Sequence, residues 1–248
     1  MIKQTTLSLF CLLIATLSNK VYAQTSSDSL AHRVTAYNNT ISKFNENIGP
    51  QSRLYNGEEY FANYPLVTGS PYFSDSDNWG IGNIVYDGYS YSNVKMKYDI
   101  VKDVLVIMLY QSELTISLLG DKLTSFDVFG HHFIYVKNNP AAINAVKPGI
   151  YEELYGGKTL VLKKWDRSIQ QDHSLAAIGT YFSTAIDYYV YNNNAYFSAN
   201  SKGEFLDALK DKKQNVQQFI RANKIKFKKD TKETAMARVA AYYDQISQ

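Results

Sequence analysis

Apolar and polar positions change their spacing three times along the chain, and each change predicts a different kind of element. Leu7 to Leu17 is an apolar run behind Lys3, followed by Val21-Tyr22-Ala23 and then Gln24. This pattern predicts a signal peptide over residues 1–23, cut between Ala23 and Gln24. The run is too short for the roughly 20 apolar residues that a bilayer span requires. Leu30, Val34, Tyr37, Ile41 and Phe44 then recur at steps of four and three. They form one stripe of an amphipathic helix within residues 24–50, opened by Asp28 and stopped at Ile48-Gly49-Pro50.

Across residues 51–200 the period falls to two. Val94, Met96 and Tyr98 alternate with Lys95, Lys97 and Asp99, a strand with one dry face. Three tetrapeptides punctuate the region: Leu54-Tyr55-Asn56-Gly57, Val85-Tyr86-Asp87-Gly88 and Leu154-Tyr155-Gly156-Gly157. Asn-Gly, Asp-Gly and Gly-Gly accept positive φ at both central positions of a two-residue turn, so each is expected to reverse the chain. Strands are predicted over 81–86, 89–99, 104–110, 114–118, 122–129, 131–136, 150–155, 158–164, 188–191 and 195–198. Their short spacers require antiparallel neighbours, because a parallel crossover needs about a dozen residues.

From Ser201 the helical period returns in a segment covering residues 201–248. Ser201 with Glu204, Asp211 with Gln214 and Asp230 with Glu233 are cap-like pairs ahead of helices over about 202–210, 212–223 and 231–246. Phe205, Leu206, Leu209, Val216, Phe219, Ile220, Met236, Val239, Ala240 and Tyr243 are their expected buried faces. Ile225 and Phe227 alternate with lysines in a short extended link that turns two side chains inward. The fold class is therefore α+β: an N-terminal amphipathic helix, an antiparallel β-meander of barrel or sandwich type, and a C-terminal helical appendage.

The only cysteine, Cys11, lies in the signal core, and Phe10 stands where a lipoprotein site needs a small residue. The mature chain then has no disulfide, Cys-ligated metal or Cys nucleophile, which favours a bacterial exported protein with a self-sufficient core. Without Lys3 and Lys20, 24 basic residues face 23 acidic ones, a balance unsuited to nucleic-acid binding. The distribution is uneven. Ser201–Gln248 holds 11 basic and 6 acidic residues, a net of +5, against −4 for residues 24–200. A basic helical end on an acidic body implies solvated helix faces, or contact with anionic lipid or a partner. No later run reaches membrane-span length.

Candidate chemistry is sparse. Neighbours in a strand point to opposite faces, so His131 and His132 cannot share a metal there, and His173 lies far off in sequence. One of the pair is expected inside and one outside. Glu152-Glu153 and Glu58-Glu59 diverge in the same way, whereas glycoside cleavage needs two facing carboxylates. Asp75, Asp77 and Asn78 lack the Gly and the closing Glu of a helix–loop–helix calcium loop. No Gly-x-Ser-x-Gly elbow and no phosphate-cradling glycine loop occurs. No catalytic, cofactor or metal residue is assigned. The 21 tyrosines suit strands, and Tyr72, Phe73, Trp79 and Tyr86 gather around one turn region as candidate ligand-stacking rings.

Leu54-Tyr55-Asn56-Gly57, Trp79-Gly80, Val85-Tyr86-Asp87-Gly88, Asn93-Val94, Tyr98-Asp99, Phe126, Gly130, Phe133 and the run Gly149 to Lys158 resemble a family of uncharacterised exported proteins of Gram-negative bacteria. The basic ending from Asp211 to Tyr243 is similar to that family's helical ending. The resemblance implies a fold and no activity, cofactor or site residue. The expectation is a periplasmic, outer-envelope-associated or secreted protein without enzymatic activity, which binds or scaffolds an envelope protein, glycan or lipid. A hydrolase acting on glycan or lipid is the first alternative, and would show a carboxylate near His131 or His132. A lipid carrier with a dry cavity is the second.

Overall fold

A computed structural model describes residues 53–64, 66–109, 112–172 and 179–247, together with Arg33, Thr35, Ala36 and Thr40. Those four are exposed residues of a helix, where Thr40 Oγ1 donates to the Ala36 carbonyl at 2.8 Å. The apolar stripe, the signal segment and His173 lie outside the described residues.

Twelve strands form one sheet: β1 (Gly57–Glu59), β2 (Val67–Thr68), β3 (Gly80–Tyr86), β4 (Tyr89–Asp99), β5 (Val104–Met108), β6 (Thr115–Leu118), β7 (Leu123–Val128), β8 (His131–Val136), β9 (Gly149–Gly156), β10 (Leu160–Asp172), β11 (Gly179–Asn192) and β12 (Ala195–Ser198). Their order is β1-β6-β5-β4-β3-β7-β8-β9-β10-β11-β12, and β2 joins β11 from the side. Every pairing is antiparallel except β2 with β11. The fold class is the expected one, and the sheet is open.

The turns show which glycines do what. Asp87-Gly88 has φ of 50° and 80° and makes the β3–β4 hairpin as expected. Gly156-Gly157 also lies at a reversal, between β9 and β10, but neither glycine has positive φ. Gly157 is needed for close approach instead: a Cβ there would collide with the Asp244 carboxylate and the Tyr155 ring. Asn56-Gly57 corrects the expectation of a hairpin. Arg53–Tyr55 is a 3₁₀ turn, and β1 pairs with the distant β6.

Four strand spacings separate β6 from β7 along the sheet, about 19 Å if it were flat. Yet Leu119–Lys122 links them in a tight turn that bonds Leu123 N to the Leu119 carbonyl, a step of only about 6 Å at helical rise. The sheet must therefore curl. Its concave face holds Ile84, Tyr86, Met96, Tyr98, Leu105, Phe126 and Phe133, all within 1% of complete burial, with Phe126 and Phe133 stacked at 4.8 Å. Asp103, in the β4–β5 turn, reaches across the roll. It accepts from Tyr98 Oη at 2.8 Å, Ile150 N at 3.2 Å and Lys164 Nζ at 2.7 Å.

Three helices, α1 (Lys202–Asp207), α2 (Lys213–Ala222) and α3 (Lys232–Ile246), build a second core with Val161 and Val190 of the sheet. Every residue expected on their inner faces is buried except Phe219, which packs half-buried, as do Ile225 and Phe227. Ser201 makes the expected capping box with Glu204. The other two caps differ. Asp211 instead accepts from Tyr243 Oη at 2.9 Å, and Thr231 rather than Asp230 precedes α3. Among the described residues no helix is long and apolar enough to cross a membrane.

Candidate functional site

Parity along the strands assembles a row of charged and aromatic side chains on one face of the sheet. Phe133 lies opposite Glu152, Glu152 opposite Lys163, Lys163 opposite Tyr188, and Trp165 opposite Ile186. His131 is two residues from Phe133, and Trp165 two from Lys163, so all of them share one face. Phe133 belongs to the first core and Tyr188 packs on the second, so this charged row lies between them.

Glu152 is the hub, its side chain 5% exposed. Its carboxylate stands 2.6 Å from His131 Nδ1, accepts from Trp165 Nε1 at 2.8 Å and lies 3.5 Å from Lys163 Nζ. Lys163, 6% exposed, also pairs with Glu233 of α3 at 2.7 Å and lies over the Trp165 ring. Tyr188 Oη donates to Glu233 at 2.7 Å. Burial works to raise the Glu233 carboxyl, but the Lys163 ammonium and the Tyr188 hydroxyl overcome it and hold the group below its ordinary range. Burial and the neighbouring carboxylate push the Tyr188 phenol up.

His131 and His132 diverge as strand geometry requires, and each meets its own carboxylate. His132 Nδ1 lies 2.7 Å from Asp127. Neither ring is fully inside, for both side chains are 41% exposed, which corrects the expectation of one buried and one exposed. Glu152 turns inward and Glu153 does not. The second carboxylate near Glu152 comes from α3, a partner that no local spacing identifies.

A second hub is Asp99, completely buried although alternation with Lys95 and Lys97 placed it outside. It accepts from Tyr60 Oη at 2.8 Å, Tyr64 Oη at 2.7 Å and Lys102 N at 3.0 Å. The cause is a covering loop. Tyr72 bridges to Asp99 through the main chain, and Ile100 N donates to the Pro71 carbonyl. Burial is the main cause that pushes the Tyr60 and Tyr64 phenols up, with Asp99 adding to it. Buried Arg167 pins the same loop from β10, donating to the carbonyls of Ser70 and Tyr72 and pairing with Asp75 at 2.7 Å.

The candidate stacking rings separate. Tyr72 and Trp79 meet over the Lys97 ammonium, 4.6 and 4.8 Å from it. Phe73 is turned into the first core, against Trp165 and His131. Tyr86 lies within the roll and donates to the Asn56 carbonyl at 2.7 Å. A different set of residues lines an open groove of about 370 Å³ beside β12. Tyr189, Tyr196 and Phe197 are joined there by Val146, with Asn144, Ser198, Glu204 and Asp207 as polar neighbours. The β11–β12 pairing, with Tyr189 opposite Ser198, was visible in the sequence as a hairpin; the approach of α1 and of residues 144–146 was not. Among the described residues no three His, Asp or Glu side chains gather as a metal site. No family model, no curated protein and no solved structure matches the chain.

Proposed function

We propose that this is an exported, non-enzymatic protein that binds or scaffolds a component of the cell envelope, with the groove beside β12 as its binding surface. The observation that carries this reading is the contrast between that groove and the interior. The four buried charged side chains among the described residues, Asp99, Glu152, Lys163 and Arg167, are each held by partners within the chain. Such pairing orders a fold and leaves little for substrate. The groove, in contrast, joins aromatic walls to polar acceptors, the combination that a sugar chain or another hydroxyl- or amine-bearing ligand would meet. Stacked rings fill the concave face of the roll, which supports a lipid-sheltering role less well.

The test is sedimentation of the chain from Gln24 with isolated sacculi and outer-membrane fragments. Substituting Tyr189→Ala together with Phe197→Ala is expected to weaken retention about tenfold, as loss of an interface anchor does. Retention unchanged by that pair would overturn the assignment of the groove.

One observation favours the hydrolase reading: His131 lies on Glu152, with Glu233 on the far side of Lys163. A His–carboxylate pair can orient a base. Turnover of glycan or lipid-ester substrates that His131→Ala abolishes would establish that reading over ours.

A further inference from the structure

We propose that the loop between α2 and α3, with the start of α3, binds the phosphates of anionic lipid headgroups at a membrane surface. This deepens the reading of an envelope-associated protein and rests on it. Between residues 221 and 238 stand seven cations, Arg221, Lys224, Lys226, Lys228, Lys229, Lys232 and Arg238, against Asp230 and Glu233 alone. Glu233 is already committed to Lys163 and Tyr188. Elsewhere the cations that shape the fold are paired: Lys163 with Glu152 and Glu233, Lys164 with Asp103, Arg167 with Asp75. Among the described residues, Arg221, Lys224, Lys226, Lys228, Lys229 and Arg238 are all exposed and none makes an ion pair.

The arrangement is built rather than scattered. Ile225 and Phe227 pack on the helical core, which turns the lysines between and around them outward. Thr231 holds the loop in shape, donating to the Lys226 carbonyl at 2.8 Å and accepting from Lys228 N at 3.3 Å. A groove of about 310 Å³ results, lined by Lys224, Lys226 and Arg238, by Thr231 and Thr234, and by the apolar Ile225 and Ala235. Three cations with the Thr234 hydroxyl suit one phosphate group. Arg221, Lys228 and Lys229 are further exposed cations of the same segment, more than one phosphate needs, and a bilayer presents phosphates side by side. Each basic residue near an anionic surface strengthens association about fivefold, and salt screens the effect.

The experiment is co-sedimentation of the chain from Gln24 with vesicles of phosphatidylethanolamine and phosphatidylglycerol, and with phosphatidylcholine vesicles as the neutral reference. Binding to the anionic vesicles alone is expected, falling with salt. Lys224→Gln, Lys226→Gln and Arg238→Gln together are expected to weaken it roughly a hundredfold. The matched triple Lys95→Gln, Lys137→Gln and Lys158→Gln, exposed positions elsewhere on the sheet, is expected to change it less than about threefold. Equal losses in the two triples would reduce the effect to net charge and overturn the site. Release by millimolar inorganic phosphate would assign the groove to a soluble ligand. Groove-dependent binding to polygalacturonate as tight as to vesicles would assign it to an acidic glycan. Failure on vesicles with envelope retention still dependent on Tyr189 and Phe197 would overturn this inference alone.

Discussion

Glu152 shows what a single buried carboxylate asks of its surroundings. It is matched by His131, Trp165 and Lys163, and Lys163 in turn by Glu233. Removing Lys163 strands the Glu152 carboxylate in a poorly solvated place, so Lys163→Met is expected to cost about 3–5 kcal/mol in denaturant unfolding. The double change Glu152→Leu with Lys163→Met removes the charges together and is expected to be less harmful than either single change. Glu233 supplies a pH signature. Its carboxyl is depressed in the folded state, so its contribution is present above the ordinary glutamate range and is lost as pH falls through the lower folded value. Thermal melting between neutral and acid pH should show stability falling below about pH 4.5, with Glu233→Gln flattening part of that fall.

At the scale of elements, glycines and caps distinguish turns that look alike in sequence. Gly157→Ala is expected to lower stability by about 1–3 kcal/mol, because the Asp244 carboxylate it would strike is fixed by Thr159 N and Tyr155 Oη. Gly156→Ala would meet only the half-exposed Glu153 carboxylate, which can swing aside, and should cost less. Chemical denaturation of the two variants side by side checks the difference. Ser201→Ala is expected to cost about 1 kcal/mol through loss of the α1 capping box. The strands over 89–99 and 131–136 coincide with β4 and β8, since period two and turn residues are local signals. The long arm was only half legible. β10 continues to Asp172 and β11 begins at Gly179, although Trp165 to Asp172 shows no clean alternation. Cross-strand pairing with β11 over its whole length holds it extended.

At the scale of the molecule, the chain divides its work between a curled sheet and a cationic helical end. The signal peptide expected over residues 1–23 predicts that protein recovered from the envelope begins at Gln24, which N-terminal sequencing of that protein checks. An intact Met1 would remove export by cleavage from the proposed function. What the sequence alone determined is the part governed by neighbours in the chain: strand periods, the Asp87-Gly88 reversal, the Ser201 cap, helix faces, and the basic charge after residue 201. What only the tertiary structure decided is the part that joins distant segments. Leu119–Lys122 curls the sheet, Tyr60, Tyr64 and Tyr72 cover Asp99, Glu233 reaches Lys163 across 70 positions, and α1 completes the groove beside β12. The physical reason is one of range. Backbone preference and side-chain period act over a few residues, whereas desolvation makes a buried charge depend on whichever segment packs over it, and local sequence does not name that segment.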